Sequence, residues 1–95
     1  METAYVWIFN GSQGRFPGGV FTDVEKAEEW ILQHQLTGVL TKYPVNRGCL
    51  DWAIENGITN LKPEQLAEKR CDPGFIGSFS TASQDHFHYE NGTRG

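Results

Sequence analysis

No stretch of this chain approaches the roughly 20 apolar residues of a membrane-spanning helix. The opening residues Met1-Glu2-Thr3-Ala4 lack the charged start and apolar run of a secretory signal. A cytoplasmic location is therefore expected, with no membrane partner. A basic cluster is missing too: 8 Lys and Arg stand against 12 Asp and Glu, for a net charge of −4. The acidity is even, with 3 basic against 5 acidic residues up to Val45 and 5 against 7 after it. Such a chain is poorly suited to neutralising phosphates, so nucleic acid is not expected as a direct partner, whereas a basic protein would suit it.

Cysteine is scarce. Cys49 and Cys71 are the only two, and in a reducing compartment they are expected as free thiols. The spacings CxxC, HExxH and GxxxxGK[ST] are absent, and so are internal repeats, linkers and low-complexity segments. No catalytic signature is recognisable, and no cofactor or metal is implied. Asn10-Gly11-Ser12 and Asn91-Gly92-Thr93 match glycosylation acceptors but in this context read as turns.

What the chain does have is aromatic residues: three Trp, three Tyr and six Phe among 95 residues. Each buries on the order of 150 to 250 Å² when placed inside, enough for a single core in a single domain spanning residues 1–95. Residues 4–10 (AYVWIFN) are β-branched and aromatic and stop at Gly11, which predicts a strand with Tyr5, Trp7 and Phe9 on one face and Val6 and Ile8 on the other. The glycine-rich stretch GSQGRFPGG reads as a loop, followed by a short strand over Gly19–Phe21. Thr22-Asp23-Val24-Glu25 has capping-box spacing and predicts a helix with Thr22 as its N-cap. Its apolar stripe is Val24, Ala27 and Ile31, with Trp30 and Leu36 alongside; Glu25, Glu28, Glu29 and Gln33 face water.

A second strand is predicted over residues 38–43, ended by Pro44. A second helix follows over 46–56, with Asn46 as N-cap, Val45 and Leu50 as a staple and Gly57 as a left-handed cap. Pro63–Lys69 adds a short helix with Pro at its first position. Period-two alternation over 75–80 and 85–90 predicts a C-terminal β-hairpin around residues 81–84. The expectation is an α+β fold: an antiparallel or mixed sheet of three to five strands with two main helices on one face.

Candidate functional residues follow from these placements. His86 and His88 flank Phe87 on a strand, so both imidazoles project from one face. They are half of a metal site or, more simply, the polar outer face of a hairpin. Cys49 in the first turn of the second helix has the setting of an activated thiol, with His86 or His88 as base, but as a small apolar residue beside Leu50 it also suits a core stripe. Arg15 and Phe16 sit at the tip of the glycine-rich loop, an Arg/aromatic pair of the kind enriched at interface anchors, or a loop folded back over a sheet edge. Trp7, Trp30 and Trp52 read as core, with Trp52 the one expected to be partly exposed.

The segments VWIFNG, LTKYPVNRGCLDWAIENG and FIGSFSTASQDHFHYENG together resemble a family of small bacterial proteins known as an uncharacterised domain, over residues 5–92. The resemblance implies a stand-alone α+β unit and supplies no catalytic residues. In size, acidity and lack of motifs the chain also looks like the immunity proteins that neutralise bacterial toxins. The leading functional expectation is thus a non-catalytic protein-binding domain, of the immunity type, capturing a basic toxin. Arg15, Phe16, His86 and His88 are its expected anchors, and Glu28, Glu29, Asp51 and Glu55 its acidic rim. The alternatives are a small metal- or ligand-binding enzyme using His86, His88 and Cys49, and a structural or regulatory subunit that pairs through a sheet edge.

Overall fold

A computed structural model of the protein describes residues 4–57, 61–77 and 85–95. In chain order the elements are β1 (Tyr5–Gly11), β2 (Gly19–Phe21), α1 (Val24–Gln33), β3 (Gly38–Pro44), α2 (Cys49–Glu55), α3 (Pro63–Lys69), α4 (Pro73–Gly77), β4 (His86–Glu90) and β5 (Thr93–Arg94). The strands form one sheet in the order β2-β1-β3-β4-β5, every pair antiparallel. This is the expected α+β fold, with five strands in a purely antiparallel sheet.

Register divides the side chains between two faces. Phe9 lies opposite Leu40, which lies opposite Phe87; Trp7 lies opposite Phe21 and Lys42; Tyr89 lies opposite Gly38 and Arg94. These residues share the inner face, where Phe9, Leu40 and Tyr89 bury themselves against Ala27 and Ile31 of α1. Val6, Ile8, Val20, Val39, Thr41, Tyr43, His86 and His88 take the other, outer face by the same alternation. Trp30 extends the inner core by edge-on contact with Phe9 at 5.6 Å and a tilted one with Phe21 at 5.4 Å. α2 lies at the other end of the inner face, where Trp52 Nε1 donates to the Tyr5 hydroxyl at 3.3 Å. All three tryptophans are half-buried, so Trp52 is not set apart from Trp7 and Trp30.

Three local expectations are corrected. α1 is capped by Asp23, not Thr22: the Asp23 carboxylate accepts from the Glu25 amide at 2.8 Å. A carboxylate one residue nearer the helix reaches the same orphan amide and adds a negative charge at the positive end of the dipole. α2 begins at Cys49 with Gly48 as N-cap, because Asn46 takes a left-handed φ of 63° and makes a turn instead. The expected Val45/Leu50 staple goes with it. Residues 75–77, expected in a strand, belong to α4. Pro73 occupies the first helical position, and the Asp72 carboxylate accepts from the amides of Gly74 and Phe75 at 3.1 and 3.2 Å. The rest of that expected strand and its connection, residues 78–84, lie outside the described residues.

The C-terminal hairpin exists but is built one strand later, from β4 and β5. Its two-residue connection Asn91-Gly92 has φ of 50° and 88°, the mirror-image turn that suits the twist of paired strands. Gly38 is required for a different reason. A Cβ there would stand 2.4 Å from the Asn10 carbonyl oxygen and 2.9 Å from Gly11 Cα, so β1 and β3 approach closely only because the side chain is missing.

Candidate functional site

The loop between β1 and β2 is held at several points along its own backbone. Ser12 N donates to Thr37 O at 2.9 Å, Gly14 N to Gly11 O at 2.9 Å, and Gly18 N to Phe9 O at 2.7 Å. Between these anchors the chain projects Arg15 and Phe16. Phe16 is 75% exposed, and the Arg15 guanidinium lies 5.8 Å from its ring centroid. The loop therefore does not fold its aromatic back over the sheet edge, one of the two arrangements the sequence allowed. Val20, next along the edge strand β2, is 63% exposed on the outer face.

His86 and His88 do share the outer face, as period two requires, with ring centroids 5.2 Å apart in edge-on contact. Among the described residues no group of three or more His, Cys, Asp or Glu converges in a way that could hold a metal ion. His88 borders a shallow groove of about 350 Å³ with Asn10, Ser12, Thr37 and Val39. Its lining is mainly apolar surface, with the polar groups of Asn10, Ser12, Thr37 and His88 at its border and no carboxylate, Lys or Arg, and it lies at the end of the sheet where the Arg15–Phe16 loop emerges. Asn10 and Val39 were legible in principle, because both share the His88 face, but only once the strand order β1-β3-β4 is known. Cys49 is half-buried and Cys71 exposed, both unbridged. Cys49 stands at the start of α2, on the inner side of the sheet, so the structure does not assemble a Cys/His pair.

The expected acidic rim is divided and largely spoken for. Glu28 and Glu29 sit on α1 and Asp51 and Glu55 on α2, all on the helix side of the sheet, away from the two histidines. Asp51 pairs with Arg70 at 3.4 Å, and Glu55 pairs with Arg47. Glu28, expected to face water, instead receives the Tyr89 hydroxyl at 2.6 Å and Arg94 Nε at 2.9 Å. The Tyr89 hydrogen bond and then the Arg94 guanidinium hold the Glu28 carboxyl below its usual range, against an opposing contribution from burial. Burial, reinforced by the neighbouring Glu28, pushes the Tyr89 phenol up to about 12. The Arg94 guanidinium carbon also sits over the Phe87 ring, 4.0 Å from its centroid, and Phe87 stacks on Trp7 at 5.5 Å. This network ties the terminal hairpin to α1. No residue pattern near Glu28 announces it, since Arg94 is 66 positions away. Glu29 alone of the four remains an exposed carboxylate without an ion pair among the described residues.

Among the described residues no helix is long and apolar enough to cross a membrane. The fold is thus a small α+β domain whose five-stranded antiparallel sheet carries helices on its inner face and presents an Arg/Phe loop at one end. The chain belongs to the family of the domain of unknown function DUF7710, whose model matches residues 6–95. This agrees with the resemblance to an uncharacterised small domain family; the likeness to immunity proteins has no counterpart in the match. No curated protein and no solved structure matches the chain.

Proposed function

We propose that the chain is a non-catalytic, cytoplasmic binding domain that captures a protein partner, with the Arg15–Phe16 loop as its principal anchor. The observation that carries this reading is the 75% exposure of Phe16 under the Arg15 guanidinium, on a loop fixed by backbone hydrogen bonds on both sides. A large apolar side chain held out in water gains its burial energy only when another surface covers it. A loop already fixed in place loses little conformational freedom on docking. The groove bordered by His88 adds apolar surface together with the polar groups of Asn10, Ser12 and Thr37 at the same end of the sheet. The finer reading, an immunity-type inhibitor of a basic bacterial toxin, is supported by the net charge of −4 and by the exposed carboxylate of Glu29.

The test begins with the protein that co-purifies with this chain or is encoded beside it. Its association and dissociation rates are then measured at two salt concentrations. Phe16→Ala and Arg15→Ala should each speed dissociation about 30-fold, equivalent to ~2 kcal/mol. Glu29→Gln should slow association and weaken its salt dependence while leaving dissociation unchanged. Failure of every neighbour-encoded protein to bind removes the immunity-type reading. A partner indifferent to both Arg15 and Phe16 removes the loop as anchor.

A further inference from the structure

At the end of the inner face opposite the Arg15–Phe16 loop, a second concave site lies between the sheet and α2. It is a cavity of about 130 Å³ lined by Tyr5, Lys42, Trp52 and Asp85. Lys42 and Asp85 are aligned across β3 and β4, where Lys42 N donates to Asp85 O at 2.9 Å, yet their side chains form no ion pair. The Lys42 ammonium instead sits 4.4 Å from the Tyr5 ring centroid. The Tyr5 hydroxyl accepts the Trp52 indole N–H, which leaves its own proton without an acceptor among the described residues. The cavity thus presents two donors at one side, an acceptor carboxylate at another, and aromatic surface from Tyr5 and Trp52.

We propose that this cavity binds a small zwitterion of the free α-amino acid class. The ligand carboxylate would take donors from Lys42 Nζ and Tyr5 Oη, and the ligand ammonium would bond the Asp85 carboxylate near the Trp52 ring. Both are charge-assisted bonds, the stronger kind, and the Lys42 and Asp85 charges they use have no ion pair among the described residues. The cation–π contact restrains Lys42, so the site is partly preorganised. Size agrees: a cavity of roughly 150 Å³ accommodates benzene, about the bulk of a small amino acid. The site is separate from the partner-binding surface, and neither reading depends on the other.

The test uses the full ¹⁵N-labelled chain and follows the Trp52 indole N–H resonance during titration with glycine and L-alanine, then with acetate and with methylammonium at matched ionic strength. Both amino acids should give a saturable shift, with the one-charge probes at least about tenfold weaker. Lys42→Met and Asp85→Asn should each weaken amino-acid binding by about tenfold or more. Asp85 is exposed, so its variant reports on binding even if Lys42→Met disturbs packing against Tyr5. The proposal is overturned by the absence of a saturable shift up to about 50 mM amino acid. It is equally overturned by an acetate response as strong as that of glycine, or by amino-acid binding that survives Asp85→Asn.

Discussion

Glu28 shows how much one side chain's role depends on residues far along the chain. On α1 it occupies a position that helical periodicity assigns to solvent, yet it accepts from both Tyr89 and Arg94. The two pKa displacements give opposite pH limbs. Glu28 is held below the ordinary 4.5, so its contribution to stability is complete above that value and is lost as pH falls through the lowered one. Tyr89 is raised from 10.0 to about 12, so its contribution is complete below 10 and is lost as pH rises between those values. Tyr89→Phe should remove the alkaline limb, shrink the acid one and cost about 1 kcal/mol near neutral pH, because Glu28 is partly solvated and keeps Arg94. Denaturant midpoints across the pH range check this; an alkaline limb unchanged in the variant would show that other groups produce it. At the N-terminus of α1, Asp23→Ala should cost about 0.5 to 2 kcal/mol, and Thr22→Ala should cost little. A loss in Thr22→Ala with little in Asp23→Ala would return the cap to Thr22.

Elements were legible where local chemistry and tertiary demand agree. β1 follows from its aromatic and β-branched run, α3 from Pro63 at its first position, and the terminal turn from Asn91-Gly92. Residues 75–77 misled because alternation over so short a span imitates a strand, while the decisive signal, Asp72 accepting from the next amides ahead of Pro73, is a cap read in three residues. The shared face of His86 and His88 was legible because period two is a property of any strand. The division of the acidic residues was not, since ion pairing with Arg47, Arg70 and Arg94 depends on how α2, α3 and β5 are brought together. Gly38 marks the element-scale demand most sharply. Gly38→Ala would drive a methyl group into the Asn10 carbonyl and the backbone of Gly11, which no rotamer change relieves. The expected loss is about 1 to 3 kcal/mol, with thermal unfolding as the measurement. A variant as stable as the parent would mean that β1 and β3 separate without cost at that point.

Across the whole molecule, burial is unevenly distributed, and stability should follow it. The centre of the sheet and α1 hold Phe9, Ala27, Ile31, Leu40 and Tyr89, all nearly inaccessible to solvent. α2 contributes Leu50 and Ala53, whereas α3 and α4 contain no buried residue at all. Conformational entropy opposes the ordering of every segment, so one that hides little apolar surface opens at lower cost than one that hides much. Amides at the centre of the sheet, such as those of Leu40 and Thr41, should therefore exchange with solvent only through global unfolding. Those of α3, such as Leu66, should exchange through local opening that is several kcal/mol easier, with α2 between the two. Native-state hydrogen exchange in low denaturant separates these classes, because global openings respond steeply to denaturant and local ones hardly at all. This ordering bears on both candidate sites. The Arg15–Phe16 loop grows from β1, the better-buried part of the domain, and should stay fixed in the free protein. Trp52 belongs to α2, the intermediate layer, so the wall of its cavity opens more readily. Protection of α3 as strong as that of β3 would mean that the two halves unfold as one cooperative unit and that the burial gradient does not govern their stability.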